Sequence, residues 1–334
     1  MDEFYAFYKA KDVILYALAV GFGSDPERSA EGDLRYLYEG QVDPIFEVLP
    51  TFCLALTFLA DKASGADIGG IPSFPPPLMR SMGVLPRRYL RTDITISTFP
   101  VLHTWQSVSF HRKLPIPAGS GSVKTTLRGH FLSVNPKSIG TFVTTETTVD
   151  LSNERGLGKT LCTMQSTALV LGVPEDIVIA FDSGMDRHAR YKPSDESNPI
   201  FETEYVVPPN QALFYRLASG DSNKIHVDAS AVPMLDSSRP LLHGLCTIGI
   251  VARFILQWTN DNYKHANLKH LEARFRKPVF IGDRICVRVW IVDGGAGCDK
   301  HLAFTVRNAA TKDVIVDNAC AIVECLEDTK RSRL

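Results

Sequence analysis

Two stretches of the chain carry the same order of apolar and polar positions. LYALAVG at 15–21 and FYRLASG at 214–220 have the spacing of a short amphipathic helix, and both end in glycine. Two further pairs follow in the same order: LPTFC at 49–53 with LHGLC at 242–246, and FHRKLP at 110–115 with FRKPVF at 275–280. Three matching anchors in one order predict an internal duplication.

Each copy has the pattern of a short helix, a loop, a long helix and then several strands. In the second copy, LCTIGIVARFIL at 245–256 places apolar residues on one helical face. Alternating segments rich in β-branched residues follow; they are 121–135, 140–151 and 160–172 in the first copy, and 284–292, 301–308 and 313–324 in the second. A mostly apolar helix is buried when a sheet wraps around it, so we predict two α+β units that share one continuous sheet.

The same comparison predicts the domain borders. We expect an N-terminal repeat over 1–174, a charged, proline-containing linker over 175–204, and a C-terminal repeat over 205–334. The first copy also carries a connector at 63–83 that is rich in proline and glycine and poor in periodic pattern.

Composition narrows the functional classes. Apolar residues make up 45% and charged residues 22%, as in ordinary globular proteins. The 36 Lys and Arg nearly cancel the 37 Asp and Glu, so no global positive field favours nucleic acid or an anionic membrane. The longest uncharged apolar runs, at 13–23 and 51–60, are about half the ~20 residues of a membrane span, so we expect both to be buried in the fold.

The spacing of the cysteines and the first residues of the chain indicate which cellular compartment the protein occupies. The seven cysteines are scattered and none forms a C-x-x-C pair, so neither a disulfide framework nor a zinc site is indicated, and a reducing compartment fits. The opening MDEFYAFYKAKD lacks the layout of a secretory signal.

The segment ASGDSNKIHVD at 218–228 is polar beyond the needs of a turn. Aligning the two copies at their glycines places Phe22 opposite Asp221 and Glu27 opposite His226, so the first copy has lost the Asp–His cluster. Their presence in one copy only favours an acid/base pair. The alternative is that these side chains cap a local turn.

Gly244 marks a second difference between the copies, because Thr51 stands at the matching position. Gly244 begins the long helix, where unpaired N–H groups and the positive end of the helix dipole can hold an oxyanion. A glycine needed only for helix packing is the alternative. Cys246 lies inside the helix as a core residue, and no third carboxylate or histidine stands at metal spacing. Metal-free proton transfer next to a carbonyl is therefore the predicted class of reaction.

SGDSNKIHVD followed by RPLLHGLC resembles the hydratase motif of the MaoC-like (R)-specific enoyl-CoA hydratases, the hydratase 2 type of peroxisomal multifunctional enzymes. DVILYALAVG, LRYLYEG and VLPTF resemble the N-terminal half of that family. The resemblance implies a double hot-dog fold of class α+β, in which each repeat wraps an antiparallel sheet around a long central helix. It also implies that the N-terminal repeat is non-catalytic and houses the acyl chain.

The resemblance further implies hydration of trans-2-enoyl-CoA to (3R)-3-hydroxyacyl-CoA with no cofactor and no metal, since the substrate itself carries coenzyme A. Asp221 and His226 would activate a water that adds at C3 while C2 receives a proton. Asn223 would orient the water or the acid, and the N–H of Gly244 would bind the thioester oxygen.

Further residues are expected to contact the substrate or coenzyme A. They are His103, Thr104, Lys137, Ser222, Lys224, Ile225, Arg274 and Phe275, with Lys277 beside Arg274 as a second candidate for the phosphates. Solvated charges on a strand are the alternative for Arg274 and Lys277. The chain departs from the family pattern in two places: His-Thr-Trp-Gln at 103–106 replaces His-Gly-Glu-Gln, and Lys224 replaces a common proline.

The sequence ends in Ser332, Arg333 and Leu334, a close variant of the Ser-Lys-Leu peroxisomal signal. We therefore expect a peroxisomal enzyme of fatty-acid β-oxidation that binds the import receptor, and the resemblance adds a homodimer. Three other functions stay open: an acyl-CoA thioesterase, a dehydratase of carrier-bound acyl groups, and a non-catalytic acyl-CoA-binding protein.

Overall fold

The computed structural model describes most of the chain. The described residues are 3–25, 32–40, 45–60, 74–152, 159–184, 197–231, 238–263, 265–292 and 299–326. Glu27, the first part of the connector at 63–73 and the terminal tripeptide therefore lie outside the described residues. Within these ranges, no helix combines the length and the apolar character that a membrane crossing requires.

Both halves share the order of one strand, two helices and then four strands, to which the first half adds two short helices and a short strand. The helices are α1 (Ala10–Ala19), α2 (Leu34–Leu37), α3 (Cys53–Leu59), α4 (Pro77–Met82), α5 (Gln211–Ser219) and α6 (Gly244–Asn262). The strands are β1 (Glu3–Tyr8), β2 (Val101–Phe110), β3 (Val123–Lys137), β4 (Gly140–Leu151), β5 (Thr160–Leu171), β6 (Phe181–Asp182), β7 (Phe201–Val206), β8 (His265–Phe275), β9 (Arg284–Val292), β10 (Asp299–Asn308) and β11 (Val314–Leu326).

One antiparallel sheet runs through both halves of the described chain. Its order is β1-β3-β4-β5-β2-β8-β11-β10-β9-β7, and β6 pairs with β3 off this path. The order read inward from β1 repeats when it is read inward from β7, as a duplicated unit requires. The halves join where β2 pairs with β8, with Trp105 opposite Arg274 and Ser109 opposite His270. The predicted α+β class with two repeats and a continuous sheet is confirmed.

The sheet encloses the apolar helices. The 19 residues of α6 are buried along most of their length, and they belong to the same core as α1, α3 and α5. Tyr16 on α1 and Tyr215 on α5 occupy matching positions in the two copies, and their ring centroids lie 5.8 Å apart. In the first half, α3 spans seven residues, shorter than the long helix expected there; residues 61–73 lie outside the described part.

The described parts of the predicted linker, 175–184 and 197–204, hold regular structure. A 3-10 helix spans Glu175–Ile177, and β6 then pairs with β3. The edge strand β7 begins at Phe201, inside the range predicted as linker, and pairs with β9. The domain borders themselves stay a prediction.

Candidate active site

The site begins where α5 ends. Gly220 has a φ of +76°, the left-handed conformation that favours glycine, and its N–H donates to the Arg216 carbonyl at 3.0 Å. The chain then turns at Asp221, whose Oδ1 accepts a hydrogen bond from the Asn223 N–H at 3.1 Å. This local bond occupies Oδ1, so Oδ2 is the oxygen that faces the neighbouring imidazoles.

His226 is held by the strand-like segment before α6. His226 is the last residue of a 3-10 helix, Lys224–His226. The side chain of the N-cap residue Asn223 accepts a hydrogen bond from the Ile225 N–H at 3.4 Å. His226 Nδ1 lies 3.0 Å from the Leu241 carbonyl, which can only accept, so Nδ1 carries the proton. Nε2 therefore presents a lone pair when the ring is neutral, and it lies 3.9 Å from Asp221 Oδ2.

A second histidine completes the cluster. His243 Nε2 lies 4.0 Å from Asp221 Oδ2, and its ring stacks on that of His226 with centroids 3.5 Å apart. Neither ring nitrogen of His243 has a hydrogen-bond partner among the described residues. The sequence analysis missed His243, although Pro50 at the matching position of the first copy is the same kind of signal that singled out Asp221.

Burial sets the charges of the three groups. Asp221 and His226 are each 8% exposed, and His243 is 1% exposed. Desolvation raises the pKa of Asp221 to about 6 and lowers the pKa of His226 to about 4. Desolvation also holds the pKa of His243 well below its usual value. Near neutral pH the site is thus a carboxylate facing two neutral imidazoles, and these contacts are not ion pairs.

Gly244 lies beside Phe275, at the start of α6. A Cβ on Gly244 would come within 3.2 Å of the Phe275 ring, a tight contact, so the packing itself favours glycine here. As the first residue of α6, Gly244 has an N–H without a partner inside the helix. Packing and an N–H available to a ligand coexist at this position.

His103 reaches the same region from the first half. Its ring centroid lies 5.0 Å from that of Phe275, and Nε2 contacts the Trp105 carbonyl at 3.0 Å and Ser166 Oγ at 3.1 Å. Desolvation lowers the pKa of His103 to about 4. The adjacent Thr104 sits where the pairing of β2 with β5 shifts, and its hydroxyl donates to the Thr167 carbonyl at 3.1 Å.

The other residues that were predicted to contact the substrate differ from one another in their exposure and in their position. Ser222 and Ile225 are half-buried in the loop of Asp221, and Lys224 is exposed beside them. Lys137 is exposed at the end of β3, opposite Gly140, and no described contact joins it to the histidine cluster.

The two candidate phosphate partners are occupied by carboxylates. Arg274 makes a two-pronged bond to Asp317, with Nε to Oδ1 at 2.7 Å and Nη2 to Oδ2 at 2.9 Å. Lys277 Nζ lies 2.6 Å from Asp313 Oδ1. The structure therefore favours ion pairs over free cations at both positions.

The three ligand-type groups Asp221, His226 and His243 offer atoms within 4.8 Å of one another, a set that could hold a metal ion. No third such group stands at metal spacing along the sequence itself, and a metal-free reaction stays a prediction. His243 comes from a separate segment of the chain, and the fold alone brings it to the loop.

Family models match both halves of the chain. A model described as the MFE-2 hydratase 2 N-terminal domain matches residues 6–172, and a MaoC like domain matches 192–314. The chain belongs to the MaoC-like hydratase 2 family. The hydratase motif containing Asp221 and His226 falls within the MaoC-like match.

Individual proteins that are similar to this chain have names that fit the same family. The chain is 28% identical to "Enoyl-CoA hydratase 2, peroxisomal" of Arabidopsis thaliana, over 85% of this chain and 82% of that protein. It is also 28% identical to the peroxisomal multifunctional enzyme type 2 of Drosophila melanogaster, of which it spans 41%. The crystal structure of a MaoC-like dehydratase from Phytophthora capsici has the same fold, with a TM-score of 0.70 at 24% identity, covering 98% of this chain and 96% of that one.

Proposed function

We propose that this enzyme adds water to trans-2-enoyl-CoA and releases (3R)-3-hydroxyacyl-CoA. Membership of the family makes it an enoyl-CoA hydratase of type 2, a hydro-lyase. The R configuration and the coenzyme A ester come from the resemblance to that family. The observation that carries the proposal is the 3.9 Å separation of Asp221 Oδ2 and His226 Nε2.

This separation suits one water molecule. An oxygen about 2.8 Å from each atom can bridge them, and both atoms accept hydrogen bonds near neutral pH. A water there donates one hydrogen to Asp221 and one to His226. Its lone pair is then available to C3 of a bound enoyl thioester, which is the orientation that nucleophilic addition requires.

The proposed addition uses Asp221 as a proton carrier. The water oxygen forms a bond to C3, and the electrons of the C2–C3 double bond move toward the thioester carbonyl. The proton that the water loses passes to Asp221 Oδ2 and then to C2 of the enolate. One water is added overall, and Asp221 returns to its carboxylate form.

The N–H of Gly244 supplies the second requirement. Negative charge accumulates on the thioester oxygen as C3 is attacked, and a fixed N–H there stabilises the transition state more than the ground state. Asn223 holds the Asp221 turn through its backbone N–H at 3.1 Å, so it orients the carboxylate. His243 packs against the face of His226 and limits its rotation.

The test is hydration of trans-2-decenoyl-CoA by the purified enzyme, with chiral analysis of the product. We expect the R product, and turnover reduced by ~10²–10⁴ in Asp221→Asn and in His226→Gln. Asp228→Asn is the matched control, because Asp228 lies in the same loop but binds Ser230 at the surface. Unchanged turnover in both site variants, or an S product, would refute the proposal. Release of free thiol without a hydroxyacyl product would instead identify a thioesterase.

We further propose that the enzyme works in peroxisomal β-oxidation. The Arabidopsis relative is named as a peroxisomal enzyme, and the predicted signal Ser332-Arg333-Leu334 also supports this. A fluorescent protein joined to the N-terminus of the full chain should enter peroxisomes, and deletion of 332–334 should leave it outside. The homodimer, the acyl cavity in the first repeat and the independence from cofactors stay predictions.

A further inference from the structure

A second cluster of metal-binding side chains lies outside the proposed active site, at the junction of the two repeats. His270 and Glu272 stand on β8, and Cys320 stands on β11 opposite Glu272 in the sheet register. Their ligand atoms, an imidazole nitrogen, a carboxylate oxygen and a thiol sulfur, all lie within 4.8 Å of one another. Ser109 on β2, the strand of the first repeat, pairs with His270.

Hydrogen bonds hold the non-ligating polar atoms of His270 and Glu272 in place. Ser109 Oγ lies 3.1 Å from His270 Nδ1, and the Trp105 indole N–H donates to Glu272 Oε1 at 3.0 Å. These bonds direct His270 Nε2 and Glu272 Oε2 toward each other, 3.5 Å apart. Protein metal sites show the same arrangement, in which outer hydrogen bonds orient the metal-binding atoms.

The 3.5 Å distance between His270 Nε2 and Glu272 Oε2 is close to the distance between two ligand atoms of a tetrahedral zinc ion. Zn–N and Zn–O bonds of about 2.0–2.1 Å place two ligand atoms about 3.3 Å apart in a tetrahedron. Glu272 Oε2 is buried and accepts no hydrogen bond from any residue that the structure describes. A buried carboxylate oxygen without a donor is unfavourable, and a cation would satisfy it.

We propose that His270, Glu272 and Cys320 bind one zinc ion at the junction of the repeats. The donor set of nitrogen, oxygen and sulfur is one that zinc accepts, and a water from the partly exposed Glu272 side completes four ligands. Binding forms a Zn–S bond and releases the Cys320 thiol proton to solvent. The ion ties β8 to β11 beside the β2–β8 pairing, so it stabilises the fold and takes no part in hydration.

Cobalt(II) is the probe, because it replaces zinc and reports on sulfur ligation. The full chain is dialysed against a chelator and titrated with Co²⁺ alone. We expect a thiolate-to-cobalt charge-transfer band that Zn²⁺ abolishes, and a higher melting temperature with Zn²⁺. The Asp221, His226 and His243 group has no sulfur, so cobalt bound there produces no such band. The absence of the band in the native chain overturns the proposal.

Two variants identify the cysteine whose sulfur produces the charge-transfer band. Cys320→Ser should remove it, whereas the matched control Cys286→Ser on β9 should keep it, since Cys286 Sγ donates to Glu202 and lies outside the cluster. A band that survives Cys320→Ser, or one lost in Cys286→Ser, would place the metal elsewhere and refute the site. Hydration of enoyl-CoA by Cys320→Ser should match the native rate.

A third variant keeps the test decisive if Cys320→Ser does not fold. Ser109→Ala leaves all three ligands and removes the bond to His270 Nδ1. Loss of such an outer hydrogen bond lowers metal affinity by about 10- to 100-fold. Unaltered cobalt affinity in Ser109→Ala would contradict the proposed geometry, and failure here leaves the hydratase proposal untouched.

Discussion

Asp221 is a carboxylate in surroundings that oppose its charge. It is 8% exposed, and the histidines that face it are themselves neutral, so no cation among the residues that the structure describes compensates for its lost hydration. Desolvation is the first cause of its raised pKa, and the N–H of Asn223 offsets only part of it. A desolvated carboxylate of raised pKa accepts a proton from water more readily than a solvated carboxylate does.

The pH profile of hydration should follow Asp221. The proposed mechanism needs the carboxylate form, and the pKa of Asp221 is raised to about 6. We expect kcat/KM to be level from about pH 7 to 8 and to fall about tenfold per pH unit below pH 6, as Asp221 takes up a proton. His226, with its pKa lowered to about 4, stays neutral over this range. A profile that rises as the pH falls would contradict the assignment.

Stability should respond in the opposite sense to activity. Because the folded pKa of about 6 lies above the unfolded value of 3.8, ionisation of Asp221 opposes folding increasingly as the pH rises from about 4 to 6, and by a constant amount above that. Asp221→Asn should therefore raise the free energy of unfolding at pH 8 by about 1–3 kcal/mol. The gain should shrink as the pH falls from 6 toward 4. Urea denaturation at pH 8 and pH 4.5 measures this, with Asp228→Asn, an exposed carboxylate of lowered pKa, as the control that should not gain.

At the scale of elements, the position of each helix decides what its apolar residues contribute. α6 is surrounded by the sheet and by α1, so its apolar side chains are covered on nearly every side. α5 leaves one apolar face exposed, including Leu213, Phe214 and Leu217. Equal truncations on the two helices should therefore differ in effect.

Leu256 and Leu217 make this comparison directly. Leu256 on α6 is 1% exposed, whereas Leu217 on α5 is 50% exposed. Leu256→Ala should lower the free energy of unfolding by about 2–5 kcal/mol, because it removes buried methyl groups and leaves a cavity. Leu217→Ala should change it by less than about 1 kcal/mol. Equal losses in the two variants would show that α5 is covered in solution.

At the scale of the molecule, the repeats are joined in two layers. β2 and β8 pair within the sheet, and α1 packs against α5 inside it. Separating the halves would expose two strand edges and the apolar contact between Tyr16 and Tyr215. The halves therefore depend on each other for burial.

Unfolding of the whole chain should be cooperative across both repeats. We expect calorimetry to show a single transition whose van't Hoff and calorimetric enthalpies agree, because the shared sheet couples the halves. Binding of a substrate analogue should raise the melting temperature of this single transition and should not split it in two. Two resolved transitions would mean that the repeats fold independently.

The sequence by itself determined several of the elements and part of the site. Apolar spacing located α5, α6 and strands β9 to β11, because local periodicity records which face of an element is buried. Asp221 and His226 were also within reach of sequence reasoning, since one turn and one 3-10 helix hold both and the first copy lacks them.

Tertiary structure alone decided the contacts between distant segments. His243 joins Asp221 because the Leu241 N–H donates to the Ile225 carbonyl and draws that segment onto the loop. Thr104 and Arg274, whose contacts with the substrate stay a prediction, are bonded to Thr167 and Asp317 on neighbouring strands. Register also gathers His270, Glu272 and Cys320 from two strands. Such pairings depend on which strands become neighbours, and no local pattern of residues encodes that choice.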